Sequence, residues 1–260
     1  MYQVEYGSFP QQMTDPGSTG NYCPTPVDTK YCIKPTSGNT YAYSSTTPYQ
    51  NFIMDTSNTN NTTKYRTTND SAPVSAMPTD TVTIGTQTWM KYNLDVGTMI
   101  NGATAQTNNS VIEKWCYDND PVNCIIYGGM YQWDEMMQYV TAEGAQGIAP
   151  TGFHIATDAE YTVLSNYLGG EAVAGDKMKS YGLCQNRANC DTSGFSGLLG
   201  GSGNGGSFSG LGSYKYGILW SSSQIDASNA WRRDLYMNYA PVYRYSAPKS
   251  SGNLVRAIKN

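Results

Sequence analysis

In this 260-residue chain the residues best suited to chemistry crowd into the last third. Gly217-Ile218-Leu219-Trp220-Ser221-Ser222-Ser223 and Asn229-Ala230-Trp231-Arg232-Arg233 lead into Tyr236-Met237-Asn238-Tyr239-Ala240-Pro241-Val242-Tyr243-Arg244-Tyr245. The last run is rich in aromatic hydroxyls, and it has no histidine and no cysteine. Tyr, Ser and Asn supply wide contact area and adaptable hydrogen bonds at low conformational-entropy cost. Nucleophilic and acid–base work draws on other residue types. The predicted chemistry is recognition.

A strand over 231–238 alternates its faces. That puts Trp231, Arg233, Leu235 and Met237 on an apolar, inward side. Arg232, Asp234, Tyr236 and Asn238 fall on the other, a mixture of charge, ring and amide suited to contact. Tyr239, Tyr243 and Tyr245 extend this surface past the Ala240-Pro241 turn, while Gln224 and Asp226 come from the loop after Trp220. The alternative is that these tyrosines are half-buried sheet residues, as β-propensity alone would allow.

Other candidates are weaker. His154, the single histidine, lies in Thr151-Gly152-Phe153-His154-Ile155 and reads as a structural hydrogen-bonding residue rather than a base. No G-x-S-x-G, H-E-x-x-H or Walker sequence occurs. Residues 200–207 (GGSGNGGS) lack the lysine and the strand–helix context of a phosphate loop and read as a flexible loop. Glu113, Asp118 and Asp120 cluster near Cys116 and Cys124 and could offer oxygens to Ca²⁺, but the Asp-x-Asp-x-Asp-Gly pattern is missing.

The six cysteines form three local pairs, Cys23 with Cys32, Cys116 with Cys124, and Cys184 with Cys190. Each brackets a short polar loop, and a disulfide there is worth about 2–3 kcal/mol. A metal site is the rival, but no C-x-x-C is present and His154 is remote in sequence. Disulfides predict an oxidising, extracytoplasmic location. A net charge of −4, with 14% charged residues, argues against a nucleic-acid partner. No apolar run approaches the roughly 18–20 residues needed to cross a bilayer. No signal peptide is visible, and Met1-Tyr2-Gln3-Val4-Glu5 reads as a trimmed start, so an export segment and a membrane-anchoring helix could precede it.

Residues 1–78 are polar, with strands of a small meander expected at Tyr41-Ala42-Tyr43 and Asn51-Phe52-Ile53-Met54 and a Pro-containing linker over 71–78. Residues 79–260 form the second part. A hairpin is predicted over residues 80–90, turning at Gly85. A first helix fits 129–137, with Met130, Trp133 and Met137 on one face. A second starts at the capping box Thr157-Asp158-Ala159-Glu160, continues through Tyr161, Leu164 and Leu168, and ends at Gly169-Gly170. A closing strand is expected at 253–258.

Two resemblances refine this. Tyr2-Gln3-Val4-Glu5-Tyr6-Gly7-Ser8-Phe9-Pro10 resembles the exit from the long N-terminal helix of type IV pilins and pseudopilins, and the likeness extends over residues 2–55; an unrelated extracellular β-rich segment is the alternative. Residues 80–260 are similar to the major paralogous domain first named from Fibrobacter succinogenes. Ile84-Gly85-x-Gln87-x-Trp89-Met90-x-x-Asn93-Leu94, Gly128 to Met137, Pro150 to Glu160 and Trp220-Ser221-Ser222-Ser223 carry that likeness. It implies an α+β, C-type-lectin-like fold, with two helices, small twisted antiparallel sheets and long ligand-presenting loops. Where the family closes on V-R-C-V, this chain has Val255-Arg256-Ala257-Ile258, which leaves an even cysteine count and favours the three local disulfides.

The same likeness reaches the formylglycine-generating enzymes, which need a reactive cysteine pair near the C-terminus, and no cysteine follows Cys190. It also reaches the variable proteins of diversity-generating retroelements, in which adenine mutagenesis yields Asn, Tyr, Ser and Asp on one face. Residues 224–246 have that composition. The expected function is surface-displayed binding of a protein or other macromolecule on another cell or phage, without catalysis. The rival is a structural pilus subunit that contacts only other pilin subunits.

Overall fold

The computed structural model describes residues 80–211 and 214–260 in full, together with the backbone of three strands in the first part. The chain divides into two compact units, Met1–Asp70 and Ser71–Asn260. In the first, β1 (Thr40–Ala42), β2 (Asn51–Asn58) and β3 (Asn61–Thr68) form an antiparallel meander in the order β1-β2-β3. The predicted strands lie on β1 and β2. The pilin-like phrase at 2–10, Cys23, Cys32 and the 71–78 linker fall outside the described residues.

The second unit opens with the expected hairpin, β4 (Thr81–Ile84) and β5 (Gln87–Met90), turning at Gly85, whose φ of 63° favours glycine. A short parallel pair, β6 (Thr98–Met99) and β7 (Glu113–Lys114), precedes α1 (Pro121–Tyr127) and α2 (Trp133–Met136). Then come β8 (Phe153–Ile155), α3 (Asp158–Tyr167) and α4 (Glu171–Met178). Strands β9 (Ser202–Asn204), β10 (Ser207–Ser209), β11 (Tyr216–Gln224), β12 (Asn229–Tyr236), β13 (Val242–Pro248) and β14 (Ala257–Lys259) complete the chain. The result is a mixed α/β unit with short helices and small, mainly antiparallel sheets.

Two sheets carry the unit. One has the order β4-β5-β14-β8, so the closing strand lies in the interior of the sheet, between the opening hairpin and β8. The other is β11-β12-β13, an antiparallel meander. Around the first, Trp89 packs on Tyr161 at 5.1 Å and edge-on to Phe195 at 5.6 Å, in a core that also takes Leu164, Leu235 and Ile258. A second core gathers Tyr131, Trp133, Met136, Trp220, Ala230 and Ala247. Its ring N–H groups are satisfied: Trp133 donates to the Ser221 carbonyl at 2.8 Å and Trp220 to the Tyr131 carbonyl at 2.9 Å.

Several expectations change. The helix predicted over 129–137 shrinks to α2. Met130 pairs its backbone with Trp115, and Tyr131 with Asn253, so the chain is extended until Gln132. Met130 and Trp133 are both buried, but in different cores, so their helical spacing does not mark one helix face. Two unexpected helices appear. α1 starts inside the Cys116–Cys124 loop and runs past Cys124, capped by Asp120, whose carboxylate accepts from Val122 N–H, with Pro121 at its first position. α4 follows Gly170, so the Gly169-Gly170 pair closes one helix and opens another. The glycine-rich segment is a hairpin, β9–β10, with Gly205 and Gly206 at positive φ in its turn. The closing strand proper starts at Ala257, residues 253 and 254 making only isolated bridges.

Candidate ligand-binding face

The register of β11-β12-β13 sorts side chains by face. Ile218, Asp234 and Tyr243 stand in one row across the sheet, and Trp220, Arg232 and Tyr245 in the next. The opposite face takes Leu235 with Val242, Arg233 with Arg244, and Trp231 with Ser246. Leu235 and Val242 enter the core, and Arg233 is held by Asp158 and by Thr162 Oγ1 at 2.9 Å. Arg244 also reaches Asp158 (2.8 Å), with its guanidinium 3.5 Å from the centre of the Trp231 ring. Asp158 opens α3, where the predicted capping box is present in both directions.

On β11 the first face is covered, since Ile218 and Trp220 are buried. On β12 and β13 it is not. Tyr236 and Tyr243 are half-buried and Tyr239 and Tyr245 are 52% and 47% exposed. Their rings touch in series. Tyr236 meets Tyr243 edge-on at 5.6 Å and Tyr239 at 6.3 Å, and Tyr243 stacks on Tyr245 at 5.8 Å with 5° between planes. Tyr216, which the sequence reading left out, joins Tyr236 at 5.7 Å. Its alternation with Ile218 and Trp220 was the available signal.

Asp234 is the main correction. It lies on the predicted face but is fully buried beneath its neighbours. Arg232 Nη2 and the Tyr236 hydroxyl both donate to Asp234 Oδ2 at 3.1 Å, while Oδ1 has no partner among the described residues. Burial pushes the carboxyl up to about 6, outweighing the opposing pull of Arg232 and the Tyr236 hydrogen bond. Burial and the nearby Asp234 carboxylate push the Tyr236 phenol up to about 12.

The inward set holds for Arg233 and Leu235, but the alternation stops at Tyr236. Met237 packs against the core from beyond the strand, and Asn238 turns at φ 62°, exposed. Gln224 and Asp226 are exposed at the opposite end of the sheet, since Gln224 pairs with Ala230, six residues and about 20 Å along β12 from Tyr236. Asp226 accepts from the Ser228 and Asn229 N–H groups and builds the β11–β12 turn, and Gln224 accepts from Lys249. The ring contacts and the Arg232–Asp234 pair therefore join Arg232, Asp234, Tyr236, Tyr239, Tyr243 and Tyr245, while Gln224 bonds to Lys249 and Asp226 to its own turn.

The turn carrying Tyr239 is clamped by α4. Buried Lys179 donates to the Tyr236 carbonyl at 2.8 Å and to that of Tyr239, and pairs with buried Asp176 at 3.2 Å. Asp176 N–H reaches the Ala240 carbonyl. A Cβ on Gly175 would fall 2.2 Å from the Pro241 carbonyl oxygen, so only glycine permits this approach. Burial alone would raise the Asp176 carboxyl, but the Asn186 and Gln185 N–H groups and the Lys179 ammonium bring it below its ordinary value. Leu183 and Gln185, beside the Cys184–Cys190 disulfide, accept from the Asn238 and Ala240 N–H groups. Replacing Cys184 and Cys190 together by serine is expected to cost about 2 kcal/mol and to speed amide exchange at Asn238 and Ala240. Unchanged exchange there would show that the disulfide does not brace the turn.

The remaining candidates have structural partners. Cys116 and Cys124 are bonded as expected. His154 bridges Asn260 (2.8 Å) and Glu160 (2.9 Å). Glu113 accepts from Thr107 N–H and Asn109 Nδ2, while Asp118 occupies a turn at φ 55°. Among the described residues no three His, Cys, Asp or Glu side chains come together as a metal set. Nor is any helix among them long and apolar enough to cross a membrane.

A family model for the Fibrobacter succinogenes major domain matches residues 82–259. The chain belongs to that family. Both main sheets, both described disulfides and all the clustered tyrosines of the face fall inside the family domain. No curated protein and no solved structure matches the chain.

Proposed function

We propose that this protein is a non-catalytic binding protein, displayed outside the cytoplasm, which holds a macromolecular ligand of another cell or phage on the β12–β13 tyrosine face. The observation that carries the reading is the grouping of four touching tyrosines and Arg232 over the buried, half-partnered carboxylate of Asp234. Aromatic hydroxyl surfaces of this kind contribute contact area with few rotamers to freeze, and α4 and the disulfide-closed loop hold the Tyr239 turn in place. The two described disulfides favour an oxidising compartment. A C-type-lectin-like fold for the second unit, a pilin-like origin for the first, and retroelement diversification of residues 224–246 belong to the same proposal.

Screening the full chain against protein, peptide and glycan arrays tests it. The double variant Tyr239→Ala/Tyr245→Ala is expected to keep the wild-type urea midpoint, because both side chains are about half exposed. Captured ligands should bind it at least about tenfold more weakly. Wild-type binding to every captured ligand by this variant would remove the tyrosine face as the site. Diversification has a separate readout, a near-copy of codons 214–260 differing only at adenines beside a reverse-transcriptase gene; its absence leaves a fixed binder.

A further inference from the structure

Two neighbouring side chains in the floor of the tyrosine face each bury a polar atom that has no hydrogen-bond partner among the described residues, Asp234 Oδ1 and Arg232 Nε. Native structures rarely leave such atoms unpaired. Asn123 Oδ1, Tyr161 Oη, Arg233 Nε and the Asn253 amide are also unpaired, but they belong to the interior or the inner sheet face. Among the described residues the Arg232–Asp234 pair lies on the sheet face that carries the half-buried and exposed tyrosines. Arg232 Nη2 and the Tyr236 hydroxyl both engage Asp234 Oδ2 at 3.1 Å. The buried atoms left without a partner are one acceptor, Asp234 Oδ1, and one donor, Arg232 Nε.

The arrangement selects among ligand groups. A cation would suit Asp234 but would meet the Arg232 guanidinium already beside it. A sugar ring needs an open aromatic face to stack on. Here the Tyr236 ring above Asp234 is enclosed by Tyr216, Tyr239 and Tyr243, so no sugar can stack on it over the orphan atoms; stacking on exposed Tyr245 is the outcome the glycan array reads. A primary carboxamide presents an N–H and a C=O side by side on one edge, a donor for Asp234 Oδ1 and an acceptor for Arg232 Nε. Both orphan atoms are closed to solvent, so a ligand must turn aside Tyr243 and Tyr245, the cross-strand neighbours of Asp234 and Arg232, which lie on the edge strand and are half-buried and exposed respectively.

We propose that the tyrosine face recognises a protein ligand through the primary carboxamide of an Asn or Gln side chain, which donates to Asp234 Oδ1 and accepts from Arg232 Nε. The inference rests on the binding role of this face. Peptides selected with the full chain from a random-peptide display library are the probe, with a glycan array run in parallel. Asp234→Asn puts an N–H where an oxygen is needed, and Arg232→Lys removes the Nε donor. Each should weaken the selected peptides at least tenfold with the wild-type circular dichroism spectrum retained.

Peptides that need Tyr239 and Tyr245 but bind Asp234→Asn and Arg232→Lys as tightly as wild type would overturn the amide subsite and leave the binding face standing. Peptides indifferent to the tyrosines would overturn the face itself. Tyrosine-dependent capture on the glycan array alone would replace the amide by hydroxyl recognition. Capture of neither probe would overturn both readings.

Discussion

Arg256→Ala is expected to destabilise the second unit by about 3–5 kcal/mol, a fall in melting temperature of about 10 °C or more for a unit of this size. Arg256 is fully buried on the approach to β14, with neutral acceptors only. Nη1 donates to the Met90 and Phe195 carbonyls at 2.8 and 2.7 Å, Nη2 and Nε donate to Asn93 Oδ1 at 3.0 and 3.2 Å, and the guanidinium sits 4.3 Å from the Phe195 ring centre. Two effects oppose each other. Burial brings the guanidinium down to about 10, so the charge is held at a cost that alanine would relieve. Alanine would also strip the donors from three oxygens in the dry interior, at about 1–3 kcal/mol each, and open a void. The second effect is larger. Urea unfolding decides it, and a loss below about 1 kcal/mol would mean that these oxygens find other donors.

Asp234→Asn is expected to do the opposite. An acid whose folded value is raised binds its proton more tightly when folded, so stability falls as pH rises from the unfolded value near 3.8 through the folded value of about 6. Above that window the wild type carries a penalty of about 2–3 kcal/mol from the buried carboxylate. Asparagine keeps the shape without the charge. The variant should therefore match the wild type near pH 4 and exceed it by about 2–3 kcal/mol at pH 7.5. Subtracting the two stability curves removes the other titrating groups, such as Asp176, whose lowered value acts in the reverse sense. A difference that does not change between pH 4 and 7.5 would refute the buried-carboxylate account. A group that destabilises its own fold fits a binding role, since sites trade stability for function.

Part of the fold was legible in short windows. The β4–β5 hairpin, the Thr157–Glu160 capping box and the Cys116–Cys124 and Cys184–Cys190 bonds depend on residues within a few positions of each other, and all are present. The Met130–Met137 spacing misled because the backbone at Met130 and Tyr131 is claimed by Trp115 and Asn253, partners that no local window contains. The glycine-rich segment misled for a related reason. Glycine lowers strand propensity, yet the turn at Gly205 and Gly206 requires positive φ.

By itself the sequence determined the family, the Cys116–Cys124 and Cys184–Cys190 disulfides and the alternation of β12 as far as Tyr236. These follow from residue types and from periods of two to four positions. Only the tertiary structure decided which of those side chains meet. It brought β13 beside β12 and so added Tyr243 and Tyr245 to the row of Asp234 and Arg232. It buried Asp234 under them, sent Gln224 and Asp226 to the far end of the sheet, and set α4 against the Tyr239 turn through Lys179 and Gly175. The reason is that burial and register depend on elements tens of residues apart, and a side chain's chemistry is fixed only once those neighbours have displaced its water.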